Sequence, residues 1–236
     1  MDSLVSCKYS GFAPALKNAG KTFDNVNSSC QEQNKPFNVG DTRFSNLPHS
    51  REEILQVAEQ IRENHGEASV YLANDATKKI FKQVVQDKTI IHIATHSIIH
   101  EDEPELSGLL FYPDNGMDEK GSGNSGLLLM NEIFNLKIKA DLVILSACGT
   151  GSGKITRSEG ILALNRAFYC AGASNIIYTL WNITDAHTKD FMTTFFDGVI
   201  SGQSFSAALR NTKLQMIHHP ETSLPKLWAG YVLLGR

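Results

Sequence analysis

The sequence predicts an α/β domain whose central sheet is mostly parallel and covered by helices on both faces. Three observations lead there. Short, nearly continuous apolar runs rich in β-branched residues recur along the chain, as in Ile90-Ile91-His92-Ile93-Ala94-Thr95 and Asp141-Leu142-Val143-Ile144-Leu145-Ser146-Ala147. Strands of that kind are buried on both faces, as in parallel sheets. Between them lie segments with apolar residues at helical spacing. Strand and helix then alternate over most of the chain, the pattern of a layered α/β fold.

The elements follow in order. Residues 4–7 read as a short strand and 13–19 as a short helix. Residues 20–50 are rich in Asn, Ser, Gly and Lys with little apolar periodicity, a long loop with one short strand near 36–39. From Arg51, apolar Ile54, Leu55, Val57, Ala58 and Ile61 recur at helical spacing behind Ser50, which reads as a cap. Residues 69–72 then read as a strand, 75–85 as a helix, 90–95 as a buried strand and 109–112 as another. A polar, Gly-rich loop follows over 113–126.

Residues 141–147 form the next apolar strand, ending in the loop 148–157. Ser158 can cap a helix over 159–171, which Gly172 ends. Residues 174–180 read as a strand. Thr184 caps a helix over 185–200, Ser204 begins another to about 217, and 228–234 supply a last strand. The expected organisation is an indistinct N-terminal segment, 1–47, joined to the same domain, and the domain proper over 48–236.

Composition narrows the function. The 236 residues are 42% hydrophobic and 20% charged, ordinary for a globular protein and long enough to bury a core without disulfide or metal. A net charge of −3, with no basic block interleaved with aromatics, gives no case for a nucleic-acid partner. The uncharged stretch 167–184 carries Gly172, Ser174, Asn175 and Asn182, too polar a load for a membrane span. No basic start followed by an apolar run opens the chain, so no secretory signal is expected. The four cysteines, Cys7, Cys30, Cys148 and Cys170, form no C-x-x-C pair and no disulfide framework. Together these features predict a reducing, cytoplasmic setting.

Two of the predicted strands run out at His96 and Cys148. A thiol nucleophile needs a group that takes its proton, and imidazole can also return that proton to a leaving amine. Neighbouring parallel strands lie about 4.8 Å apart, so side chains just past two such ends can meet. The glycines of Cys148-Gly149-Thr150-Gly151-Ser152-Gly153 let a backbone curl and offer N–H groups to an oxyanion. Each residue also has a plain structural reading, a buried small thiol and a hydrogen-bonded core imidazole.

Two other patterns lead nowhere. The stretch 149–154 resembles a phosphate loop, but Cys148 replaces its first glycine and Ile155 its Ser/Thr, which disfavours a nucleotide-binding switch. His92, His96 and His100 have the i, i+4 spacing of metal ligands on a helix. On a strand and its exit they diverge, so no metal and no cofactor are expected.

Several segments in series carry a family resemblance. They are Ile91-His92-Ile93-Ala94-Thr95-His96, Leu145-Ser146-Ala147-Cys148-Gly149-Thr150-Gly151, Ser158-Glu159-Gly160-Ile161, Leu180-Trp181-Asn182-Ile183-Thr184-Asp185 and Trp228-Ala229-Gly230-Tyr231-Val232-Leu233. In this order, from about Pro48 to the C-terminus, they resemble the CHAT domain of the caspase, metacaspase and separase clan. The resemblance implies a caspase-like αβα sandwich and a cysteine endopeptidase that cleaves proteins through a His–Cys dyad. His96 would be the catalytic histidine and Cys148 the nucleophile, with the backbone N–H groups of Ser97 and Cys148 holding the oxyanion. Ser97 stands where family members usually have glycine. Asp185 matches the separase aspartate that binds the basic residue before the scissile bond, and it also sits where a helix dipole favours a carboxylate. Glu159 and Trp181 are further substrate-binding candidates, Trp181 beside a strand added to the sheet edge.

Relatives in the family carry helical repeats, such as TPR arrays, ahead of the domain. None is present here, so the expectation is a fragment of a longer protein or a domain served by a separate regulatory partner. The contrasting expectation is a silent scaffold used for signalling or protein interaction.

Overall fold

A computed structural model describes residues 7–14, 37–39, 42–44, 47, 49–100, 103–113, 126–146, 158–181 and 183–235. Its centre is a six-stranded sheet. The strands are β1 (Lys8–Ala13), β4 (Glu67–Leu72), β5 (Ile90–Ile93), β9 (Leu142–Leu145), β10 (Asn175–Thr179) and β11 (Tyr231–Gly235). The order across the sheet is β11-β10-β9-β5-β1-β4. All neighbours are parallel except β11, which runs antiparallel to β10 at one edge. A pair, β2 (Phe37–Val39) with β3 (Thr42–Phe44), stands apart from this sheet.

Helices cover both faces. On one lie α1 (Ser50–Glu63), α5 (Asp185–Ile200) and α6 (Phe205–His218); on the other, α2 (Lys78–Val84), α3 (Met130–Phe134) and α4 (Ser158–Ala171). The period of two along the strands feeds both cores. Ile91, Ile93, Val143 and Leu145 pack with Phe81, Phe111 and Phe168. Ile90, Leu142, Ile144 and Ile177 pack with Val57, Ile61, Phe191, Phe195 and Phe196. The result is the three-layer αβα sandwich that the sequence predicts, mostly parallel at its centre. Among the described residues, no helix is long and apolar enough to cross a membrane.

Several local expectations shift. The first described strand is Lys8–Ala13, whose apolar signal Ser10 and Gly11 break although Ser10 is fully buried. Of the expected strand 4–7, residues 4–6 lie outside the described residues and Cys7 precedes the strand. Gly11 lies under α1, where a Cβ would come within 2.5 Å of Ile54 Cγ2. The expected helix 13–19 starts inside this strand, and 15–19 lies outside the described residues. Ser50 is the first residue of α1 and not its cap, its hydroxyl donating to Leu47 O at 2.8 Å. The expected helix 75–85 divides into a 3-10 turn, Ala73–Asp75, and α2, which Thr77 caps by accepting Ile80 N–H. The last strand starts at Tyr231, since the proline-led 3-10 turn Pro225–Leu227 precedes it.

One polar chain crosses the α1 face of the core. His92 Nε2 lies 2.8 Å from Glu53 Oε1 and its Nδ1 lies 3.0 Å from Tyr9 Oη, all three side chains being buried. With the carboxylate ionised, Nε2 donates to it, so in a neutral ring Nδ1 accepts the tyrosine hydroxyl. Burial, and next the charge of Glu53, push the Tyr9 phenol well above its ordinary range. This chain ties α1 to β1 and β5 with each ring nitrogen engaged.

Candidate active site

The sheet topology brings two strand exits together. β5 and β9 are direct neighbours, with Ile93 opposite Leu145, and Ser146 N–H still bonds Ile93 O at 3.1 Å. His96 stands three residues past Ile93, and Cys148 three residues past Leu145. Cys148 itself lies outside the described residues, as do the glycines after it.

The path to His96 is well defined. Ala94 N–H makes the last bond to the main sheet, to Phe12 O at 2.9 Å. The chain then turns into a small antiparallel sheet of β6 (Ser97–Ile98), β7 (Gly108–Leu110) and β8 (Leu127–Leu129). Thr95 Oγ1 donates to Leu110 O, and Leu110 N–H donates to His96 O at 2.9 Å. β7 can approach β8 this closely because residue 108 is glycine: a Cβ there would lie 2.3 Å from Leu128 O. The sequence pattern does not mark β6, β8 or α3. Thr95 likewise carries no signal of a role in the sequence, although it sits inside the segment that carries the resemblance.

His96 is 5% exposed, at the rim of the sheet, and Ser97 is buried. Ser97 lies in extended backbone; the non-glycine residues with positive φ among those described are His65 and Ala73. A serine therefore occupies the position without strain where glycine is usual. Residues 96 and 110 form a hydrogen-bonded pair, so by antiparallel alternation the backbone groups of Ser97 turn away from β7.

The remaining candidates gather at the same end of the sheet. α4 follows β9 and α5 follows β10, so both helices start at the carboxyl ends of the strands, where ligands of such sheets bind. Glu159 is the second residue of α4 and Asp185 the first of α5, positions at which a helix dipole favours a carboxylate. Their side chains lie outside the described atoms. Thr184 precedes α5 as expected, but its hydroxyl pairs with His187 Nδ1 at 2.5 Å instead of capping the backbone. Trp181 follows β10, its indole N–H donating to Lys226 O at 2.8 Å while the residue stays 41% exposed. The ring is thus held by its polar end and packed over Gly230, where a Cβ would come within 2.8 Å of Cε2, with part of its apolar surface open to solvent.

Residues 13–236 match the CHAT domain. Tetratricopeptide repeat protein 28 of Mus musculus is 24% identical over 220 residues, which takes in 80% of this chain and 8% of that protein. The Homo sapiens protein of the same name is 32% identical over 109 residues, 46% of this chain and 4% of that one. The chain therefore spans a small fraction of the curated relatives that it matches. With its parallel sheet, its αβα layers and this match over nearly its whole length, the chain belongs to the CHAT domain family, a caspase-like family related to the cysteine peptidases.

Proposed function

We propose that the protein is a cysteine endopeptidase in which His96 activates Cys148, cutting protein substrates after a basic residue. The observation that carries this reading is the adjacency of β5 and β9, in register, with the histidine and the cysteine each three residues past the paired ends. Imidazole takes the thiol proton, the thiolate attacks the carbonyl carbon, and the imidazolium returns the proton to the departing amine. The backbone N–H groups of Ser97 and Cys148 receive the oxyanion. The extended, unstrained conformation of Ser97 supports its part in this.

Asp185 pairs with the basic side chain, Glu159 adds negative charge at the neighbouring helix start, and Trp181 supports the extended substrate. Guanidinium binds a carboxylate bidentately where ammonium cannot, so Arg is preferred to Lys. No metal or cofactor takes part in the steps. The enzyme acts in a reducing cytoplasm, where its thiol stays reduced, and Cys7 and Cys170 are free thiols among the described residues. Its regulation comes from a helical-repeat module or partner, a reading supported by the repeat named in its relatives.

The same relatives support a second reading, a silent scaffold for protein interaction, since their names carry a repeat and no peptidase activity. Peptides with Arg, Lys, Asp or Leu before the scissile bond separate the two. The enzyme reading expects cleavage after Arg, abolished by Cys148→Ala and by His96→Ala. Asp185→Ala should lower kcat/KM on the Arg peptide by about 30-fold or more, the loss of one partner of a desolvated charge pair. Cleavage after Asp by the wild type would end the specificity assignment, and near wild-type turnover in either dyad variant would end the dyad.

A further inference from the structure

The exit of β5 is held by a single residue of the small sheet, which grips two consecutive positions. Leu110 accepts the Thr95 hydroxyl on its carbonyl and donates its N–H to the His96 carbonyl. Leu110 is itself fixed by pairing with Leu127, and both Thr95 and Leu110 are buried. The backbone bond is an extension of the β6–β7 ladder and would form with any residue at position 96. The hydroxyl bond is different, because it depends on the side chain at 95.

From these contacts we infer that Thr95 is a positioning residue for the His96 imidazole. It rests on the proposed function in one respect, that the imidazole is the acid–base group. Between Ala94, the last residue bonded to β1, and Ser97, the first of β6, only two residues make the turn. Fixing the Thr95 side chain to Leu110 O removes the freedom with which the peptide between 95 and 96 could rotate. That peptide sets the direction in which the His96 side chain leaves the backbone. Misplacing a catalytic group by about 1 Å can cost about 100-fold in rate, so a bond that fixes this direction has a large lever on the chemistry.

A purely structural role would look different. It would lower stability through the orphaned Leu110 carbonyl and leave the imidazole as it was. Thr95→Val keeps the shape and removes the hydroxyl, whereas Thr95→Ser keeps the hydroxyl and removes the methyl. The experiment uses the full chain with 15N-labelled histidine. The His96 ring signals are assigned by their loss in His96→Gln, and their tautomer pattern and titration are followed in each variant.

In Thr95→Val the His96 signals and titration midpoint should move, and Thr95→Ser should restore them. On the Arg peptide, Thr95→Val should lower kcat by about tenfold or more with KM nearly unchanged, and Thr95→Ser should regain most of it. If Thr95→Val is too unstable to study, Thr95→Ala beside Thr95→Ser gives the same contrast. A folded variant lacking the hydroxyl, with His96 signals and midpoint as in the wild type, would overturn the inference. Should the wild type cleave no peptide, the functional reading fails while the imidazole measurement still decides the role of Thr95.

Discussion

His92 and His96 lie four residues apart, one in the middle of β5 and one just past its end, and they live in different chemistry. His92 is sealed in the core, with Glu53 on one ring nitrogen and Tyr9 on the other. Its environment is complete, and no substrate could reach it. His96 stands at the carboxyl rim of the sheet, where β9 ends beside it and where α4 and α5 begin. Residue type does not distinguish a catalytic imidazole from a structural one. Place along the strand does, because the interior of a parallel sheet is closed on both faces and its end opens on a crevice.

The largest expected effect tests that contrast through stability. Removing one partner from a buried hydrogen bond to a carboxylate strands the other, at a cost of about 1–3 kcal/mol and more where the stranded group is charged. Glu53→Ala and His92→Ala should each approach that loss in urea unfolding, with His96→Gln costing well under half as much. Equal losses at 92 and 96 would erase the distinction.

A smaller effect is expected in the sheet that carries His96. Gly108→Ala would drive a Cβ against Leu128 O, and relieving that contact by shifting β7 should cost about 1–3 kcal/mol. Because β7 also holds Thr95 and His96, the His96 ring signals should move in this variant and the His92 signals should not. Movement of both would mean that the small sheet and the core are not separable.

The smallest effect concerns the clamp behind that sheet. Lys82 and Lys78 meet the Glu132 carboxylate at 2.5 and 3.6 Å, joining α2 to α3. Burial alone would raise the pKa of Glu132. The Lys82 hydrogen bond, the Leu129 N–H and the two lysine charges outweigh it and hold the group below its ordinary 4.5. A depressed folded-state pKa gives stability that is present above the unfolded value and lost as pH falls through the folded one. Glu132→Gln should therefore cost about 1 kcal/mol near neutrality, and the gap from the wild type should close below pH 4.5. A gap unchanged down to strongly acid pH would assign the clamp to shape rather than charge.

Much of this was legible in the sequence for a physical reason. Strands buried on both faces are continuous and β-branched, so β5, β9 and β10 stand out, and the places of His96 and Trp181 past strand ends follow from them. The small sheet was not legible, because two- and three-residue strands such as β6 and β8 have no period to detect. The link from Thr95 to Leu110 spans 15 residues, and nothing in a run of letters pairs them. β1 has a weak signal because Ser10 and Gly11, whose small size lets α1 approach, look like loop residues. Ser50 is ambiguous in the sequence because a serine just inside a helix and one just before it leave the same local pattern.

The central claim is that the histidine past the end of β5 activates the cysteine past the end of β9. The most direct measurement is labelling by a peptidyl-Arg electrophile that captures an active thiol, with the modified residue located by peptide mass. The account predicts modification of Cys148 in the wild type, its loss in folded His96→Gln, and no transfer of label to Cys7, Cys30 or Cys170. Equal labelling of Cys148 with and without the His96 imidazole, or no labelling of the folded wild type, would contradict it.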